Sequence, residues 1–219
     1  MKHISFDVWG TILQSNPNNN TNRAIYLKEH FQLDSPLSDI QKIIKDNGKS
    51  INELQESTGI QVGRSEIFER LLRKFDLNLT ADNCLLVDAI FQQSFLDNPP
   101  ELIEAGYADS IASLSSSHNL SILSNTVYVK GENIQKVLDR YLGEGLFDFT
   151  LYSDQLGYSK PHENVYHTLI AQSGVASTEI VHVGDSVLCD INGPEMHGIN
   201  TSQVHSNGKS LTSVIDEIK

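Results

Sequence analysis

An α/β fold with a mainly parallel sheet, interrupted after its first strand by an all-helical insert, is predicted for this sequence by three observations. The opening apolar run, Ile4 to Val8, suits a buried strand. Residues 22–97 carry helical periodicity with no strand-type alternation. From Asn98-Pro99-Pro100 onward, apolar runs alternate with helical patterns, which implies right-handed crossovers between parallel strands.

The first strand leads into Asp7-Val8-Trp9-Gly10-Thr11. A carboxylate at the end of a buried strand is costly unless solvated, paired or metal-bound, so Asp7 is a site candidate; taken alone it reads equally as an N-cap. The Pro- and Asn-rich residues 16–22 favour turns and are expected to form a flap and the hinge into the insert. Helices are then expected over Arg23 to Leu33, Pro36 to Asp46 with Ser35 as N-cap, and Arg64 to Phe75, whose Ile67, Leu71, Leu72 and Phe75 share a face. Thr80 is placed to cap a fourth, with Leu85, Leu86, Ala89, Ile90 and Phe91 as its apolar side.

Beyond Asn98 the expected order is helix Glu101 to Ser116, strand Asn119 to Leu123, helix Gly131 to Tyr141 and strand Phe149 to Tyr152. Helix His162 to Ser173, strand Glu179 to Val183 and helix Leu188 to His197 follow, before a strand at Thr201 to Val204 and a helix from Ser210 to Ile218. Residues 1–15 and 98–219 are thus expected to form the α/β core, with 16–97 as the insert.

The chain has 219 residues and a formal net charge of -12, with 39% hydrophobic and 20% charged residues. That balance suits a globular protein with a sizeable core and argues against nucleic acid or an anionic membrane surface as partner, since no Lys/Arg cluster offsets it. No run approaches the roughly 18 apolar residues of a membrane span. Lys2 and His3 lead straight into the first strand, so no leader is expected. Cys84 and Cys189 fall far apart in helical segments, and reduced thiols in a cytoplasmic protein are expected. Monomer and dimer both stay open.

In parallel sheets ligands bind beyond the C-terminal strand ends. Asp7, Ser124-Asn125 and Gly184-Asp185 sit there, and Lys160-Pro161 follows another strand. Four such stretches converging are much harder to obtain by chance than one.

Their order and spacing resemble the haloacid dehalogenase (HAD) superfamily, whose motifs read Asp-x-Asp-x-Thr, Ser/Thr, Lys and Gly-Asp-x-x-x-x-Asp. The last is met by Gly184-Asp185 and Asp190. The resemblance implies a Rossmann-like core with a C1-type helical cap, and an Mg2+-dependent phosphatase or phosphotransferase for a small phosphorylated substrate. It makes Asp7 the nucleophile that forms an aspartyl-phosphate. Ser124 and Asn125 would contact phosphoryl oxygens, Lys160 would neutralise charge and Thr11 would bond the nucleophile or its turn. Asp7, Asp185 and the main-chain carbonyl of Trp9 would hold Mg2+, with Asp190 a direct ligand, a group behind the ligands or a partner of Lys160.

Trp9 departs from the pattern, because the second Asp of the first motif normally supplies acid–base help. An indole N–H exchanges no proton usefully at neutral pH; His162 is a conceivable substitute. Among cap cations, Arg23, Lys28, Lys49 and Arg64 are candidates to meet a substrate's distal anion, or else are solvated helix charges. Two rivals follow from Trp9: a metabolite-binding regulatory protein that turns over poorly, and a 2-haloacid dehalogenase, whose Asp-x-Tyr-Gly-Thr also carries an aromatic. The dehalogenases have Ser-Asn where this chain has Gly184-Asp185, which favours the phosphatase.

Overall fold

A computed structural model describes residues 2–205 and 208–219. Its main sheet has five strands in the order β5-β4-β1-β6-β7, and all neighbouring pairs are parallel. These are β1 (His3–Phe6), β4 (Asn119–Ser124), β5 (Phe149–Tyr152), β6 (Ile180–Gly184) and β7 (Asn200–Gln203). β1 lies at the centre, with Phe6 opposite Ile122 on one side and Val183 on the other. All four of its residues are buried, as a strand covered on both faces requires. The mainly parallel α/β core is therefore as the sequence pattern predicts.

A two-residue strand β2 (Leu13–Gln14) pairs antiparallel with β3 (Glu101–Leu102). Between them run four helices: α1 (Pro17–Phe31), α2 (Leu37–Thr58), α3 (Arg64–Arg73) and α4 (Ala81–Asp97). They bury an apolar cluster of their own, including Ile40, Ile44, Ile51, Phe68, Leu71 and Phe91. The core helices are α5 (Tyr107–Leu114), α6 (Gly131–Leu142), the single turn α7 (Ser153–Leu156), α8 (Glu163–Ser173), the short α9 (Gly193–Glu195) and α10 (Leu211–Ile218).

Three local expectations are corrected. Residues 17–22 form the first turns of α1 rather than a flap. Asn16 caps the helix by accepting from the Asn18 amide at 2.9 Å, and Pro17 takes the first position. The asparagines are held by tertiary bonds: Asn19 Nδ2 donates to Asn98 O at 2.8 Å and Asn20 Nδ2 to Gln41 O at 3.0 Å. Those bonds offset the poor helix propensity of Asn.

The helix expected from Glu101 starts at Tyr107, because residues 101–102 are taken up in pairing with β2. α2 begins at Leu37, with Pro36 rather than Ser35 at its N-cap, and runs past Asn47-Gly48 to Thr58. Gly48 belongs there because a Cβ would come 2.8 Å from the ring of Tyr128. That ring reaches from the loop after β4 into the insert, where its hydroxyl donates to Ile44 O at 2.8 Å and accepts from Asn47 Nδ2 at 2.9 Å. Tyr128 thereby pegs the insert to the core.

Candidate active site

The turn after β1 is built by main-chain bonds: the amides of Ile12 and Leu13 both donate to Val8 O at 2.9 Å, and Gly10 N donates to Leu13 O at 3.0 Å. Gly10 has φ +74°, and a Cβ there would lie 2.6 Å from Asp185 Oδ2. Glycine is thus required both for the left-handed backbone and for the close approach of the second carboxylate.

Asp7, at the exit of β1, is 6% exposed. Lys160 Nζ donates to Asp7 Oδ1 at 2.8 Å, to Asp190 Oδ1 at 2.6 Å and to Leu123 O at 2.8 Å. All three ammonium hydrogens are spent, so this buried lysine acts on a ligand through its charge. Thr11 Oγ1 donates to Asp7 Oδ2 at a long 3.4 Å. Burial raises the Asp7 carboxyl above its ordinary range, against the pull of Lys160. Asp190 is also buried, yet Lys160 and His182 outweigh the desolvation and hold it well below that range.

Asp190 lies on a π-helical turn, Val187–Asn192, where a regular helix was expected from Leu188. Its Oδ2 accepts from the Ser186 amide at 2.9 Å, and its Oδ1 is shared by Lys160 and His182 Nε2, the latter at 3.1 Å. The carboxylate packs against Gly184, leaving no room for a Cβ there. Asp190 is therefore first of all the anchor of Lys160. Asp185 is more open to solvent, and its carboxyl is pushed up to about 6 by partial burial and by the charges of Asp7 and Asp190.

A cavity of about 380 Å³ opens beside this group, lined by Asp7, Trp9, Asn125, Lys160, Asp185 and Asp190 among others. Ser124 ends β4 nearby, 1% exposed, but is not among the lining residues. Asn125 is engaged with the Lys160 peptide, its Oδ1 accepting from Lys160 N at 2.7 Å and its Nδ2 donating to Lys160 O at 2.9 Å. His162 caps α8 through Nδ1, its ring lies tilted against Tyr158 with centroids 4.4 Å apart, and it is not among the residues lining the cavity. Trp9 itself meets Phe95 edge-on, with ring centroids 6.2 Å apart.

Carboxylate oxygens of Asp7, Asp185 and Asp190 lie within 4.8 Å of one another. Three acids against the single charge of Lys160, one of them pushed up by its neighbours, form a donor set that fits a small hard divalent cation. Sequence reasoning missed Asn52 and Glu56, which enter the cavity wall from α2. It also missed His182, although a histidine inside the apolar strand before Gly184-Asp185 was a visible signal. Cys84 and Cys189 are both free and buried. Burial pushes the Cys189 thiol up to about 12, so it is no nucleophile at neutral pH.

A family model described as haloacid dehalogenase-like hydrolase matches residues 1–198. Haloacid dehalogenase-like hydrolase domain-containing protein 3 of Mus musculus is 30% identical over 87 residues, 38% of this chain and 35% of its own length. The chain thus matches little more than a third of that curated relative. The HAD hydrolase YfnB of Bacillus subtilis, solved bound to magnesium, superposes with a TM-score of 0.69 at 21% identity, covering 95% of this chain and 88% of its own. A HAD phosphatase from Thermococcus onnurineus gives 0.69 at 17% identity over 100% and 98%. The 2-haloacid dehalogenase of Pseudomonas syringae gives 0.68 at 16% identity, again over 100% and 98%. At these identities the solved structures establish the fold. No helix among the described residues is long and apolar enough to cross a membrane.

Proposed function

The chain belongs to the haloacid dehalogenase-like hydrolase family, and on that footing we propose that it is an Mg2+-dependent phosphatase or phosphotransferase acting on a small phosphorylated metabolite. The observation that carries the reading is the single cavity at which Asp7, Lys160, Asp185 and Asp190 meet. In the same reading residues 16–97 act as a cap that excludes water from the site.

Asp7, Asp185 and the main-chain carbonyl of Trp9 would hold the ion, with Asp190 behind them fixing Lys160. Bound Mg2+ neutralises charge on the transferring phosphoryl group. An Asp7 carboxylate oxygen attacks phosphorus in line, the ester P–O bond breaks, and the departing oxygen takes a proton from solvent. Water then attacks the same phosphorus, gives up a proton and frees inorganic phosphate, restoring the Asp7 carboxylate. Lys160 would balance the charge of Asp7 throughout, and the Asn125 amide at the cavity wall would orient phosphoryl oxygens, with the buried Ser124 behind it. Trp9 supplies no proton, so turnover depends on the leaving group.

A panel of phosphate esters assayed with Mg2+ is expected to show hydrolysis that disappears in Asp7→Asn and on chelation. Activity indifferent to both changes would sink the mechanism. Trp9 also favours a second reading, a binding or regulatory protein. Stabilisation by Mg2+ and phosphate without detectable hydrolysis of any ester would replace the enzyme with it. Halide release from 2-haloacids without added metal would instead establish a dehalogenase.

A pH dependence follows from Asp185. A carboxyl whose folded-state value is raised contributes stability that is present below its ordinary value and lost as pH rises through the folded one. Without divalent ion, Tm should therefore fall between about pH 4 and pH 7, with Asp7 adding in the same direction. Asp190, depressed, acts below that window. Mg2+ should raise Tm more at about pH 7 than at about pH 5, since it replaces protons on these acids. Equal shifts at both values, measured by calorimetry, would contradict the assignment of the ion to this cluster.

A further inference from the structure

A second cavity, of about 660 Å³, adjoins the acid pocket and shares Trp9, Asn52 and Asn125 with it. Its charged lining residues are Arg23, Lys45 and Lys49; among the described residues it has no acidic one, in a chain of net charge -12. We propose that this cavity receives the far end of the substrate, that this end carries an oxyanion, either a carboxylate or a second phosphate, and that Arg23 binds it. The proposal rests on the phosphate reading of the Asp7 pocket.

Arg23 stands apart from the other cationic side chains of the insert. Lys28 is spent on carbonyls of the loop after α1, donating to Leu33 O at 2.8 Å and Ser35 O at 2.6 Å. Arg64 leaves its Nη1 without a partner but is neutralised by Asp88 and also donates to Tyr128 O. Lys49 is exposed and 3.7 Å from Glu53. Arg23, by contrast, is 9% exposed, and its Nε has no hydrogen-bond partner. Its guanidinium lies 4.7 Å from the ring centroid of Phe91 and 5.5 Å from that of Tyr128.

The two rings hold the guanidinium in place without neutralising it, and its edge remains for a ligand. Burial with no carboxylate nearby pulls it down to about 10, so it is still charged at neutral pH. An unpaired buried cation is costly, and an entering oxyanion removes that cost through a bidentate, charge-assisted contact. Lys45 and Lys49 lie one turn apart on α2, on the same side as Asn52, and add positive charge at the cavity rim. The apolar walls, among them Ile44, Phe95 and Val127, suit an uncharged carbon chain between the two anionic ends.

The test is calorimetric titration of the Mg2+-loaded protein with three non-hydrolysable series of graded chain length: alkylphosphonates, ω-phosphonoalkanoates and alkane bisphosphonates. At the best length, one of the two doubly anionic series should bind about 10- to 100-fold more tightly than the alkylphosphonate, as hydrogen bonds to a charged group allow. Which series wins identifies the oxyanion. Arg23→Gln should bring that ratio close to one, Arg23→Lys should restore part of it, and Lys45→Gln, an exposed change that does not endanger folding, should lower it about two- to fourfold by loss of a partly screened charge. Alkylphosphonates that bind as tightly as every doubly anionic probe would overturn the inference while leaving the phosphate site standing. Failure of all three series to bind would remove both.

Discussion

Replacing Lys160 with Met should be among the most damaging single changes in this protein, lowering stability by about 3–5 kcal/mol at neutral pH, as expected when one partner of a buried charge pair is removed. At roughly 2–4 °C per kcal/mol for a chain of this size, Tm should drop by about 6–20 °C. The methionine fills a similar volume, so the loss is electrostatic: Asp7 and Asp190 would be left facing each other without the ammonium that both now accept from. The sign of the pH dependence is fixed by the same contacts. Asp7, already raised by burial, would take up a proton in the variant, so the deficit should shrink toward about pH 5. Denaturation curves across that range decide the matter; a Tm equal to the parent's at neutral pH would mean that the cluster is held together by something else. Any folded variant should also have lost phosphate-ester hydrolysis.

The opposite result is expected for Trp9→Asp, a gain. If departure of the leaving group lacks an acid, the parent should hydrolyse aryl phosphates, whose phenols leave without protonation, far better than alkyl phosphates. A carboxylate at position 9 should then raise alkyl-phosphate turnover by about 10²–10⁴-fold, the usual worth of general acid–base help, with little change on aryl esters. The indole is half-buried and touches Phe95, so part of the roughly 3–5 kcal/mol that follows loss of a large core aromatic is expected as a stability cost. Adding a fourth carboxylate to Asp7, Asp185 and Asp190 should also make folding more dependent on Mg2+. Steady-state kinetics on paired aryl and alkyl esters would read this out. A folded, Mg2+-responsive variant with no gain on any ester would shift weight to the binding protein, or to a proton donor elsewhere in the cavity.

What the sequence determined by itself is what local pattern can carry. Apolar runs of strand length separated by helical periodicity dictate a parallel sheet, and a parallel sheet places the residues after β1, β4 and β6 along one edge. Asp7, Asn125 and Asp185 were therefore legible as neighbours, although they are far apart in the chain. Gly10 and Gly184 were legible as members of their motifs, but the carboxylates of Asp185 and Asp190 that exclude a Cβ from them were not.

Tertiary structure decided everything that depends on a distant partner. Asn16 to Asn22 read as a loop by propensity and are helical from Pro17 on because Asn98, Pro99 and Gln41 accept their side-chain hydrogens. Lys160, legible as a site residue only through its motif, is 2% exposed because two carboxylates and Leu123 O take all its hydrogens. Arg23 reads as one more solvated helix charge until Phe91 and Tyr128 are seen to enclose it with no acid beside it. In each case the free energy of the group is set by contacts many residues away. Propensity and periodicity sum over near neighbours, so they carry no information about those contacts.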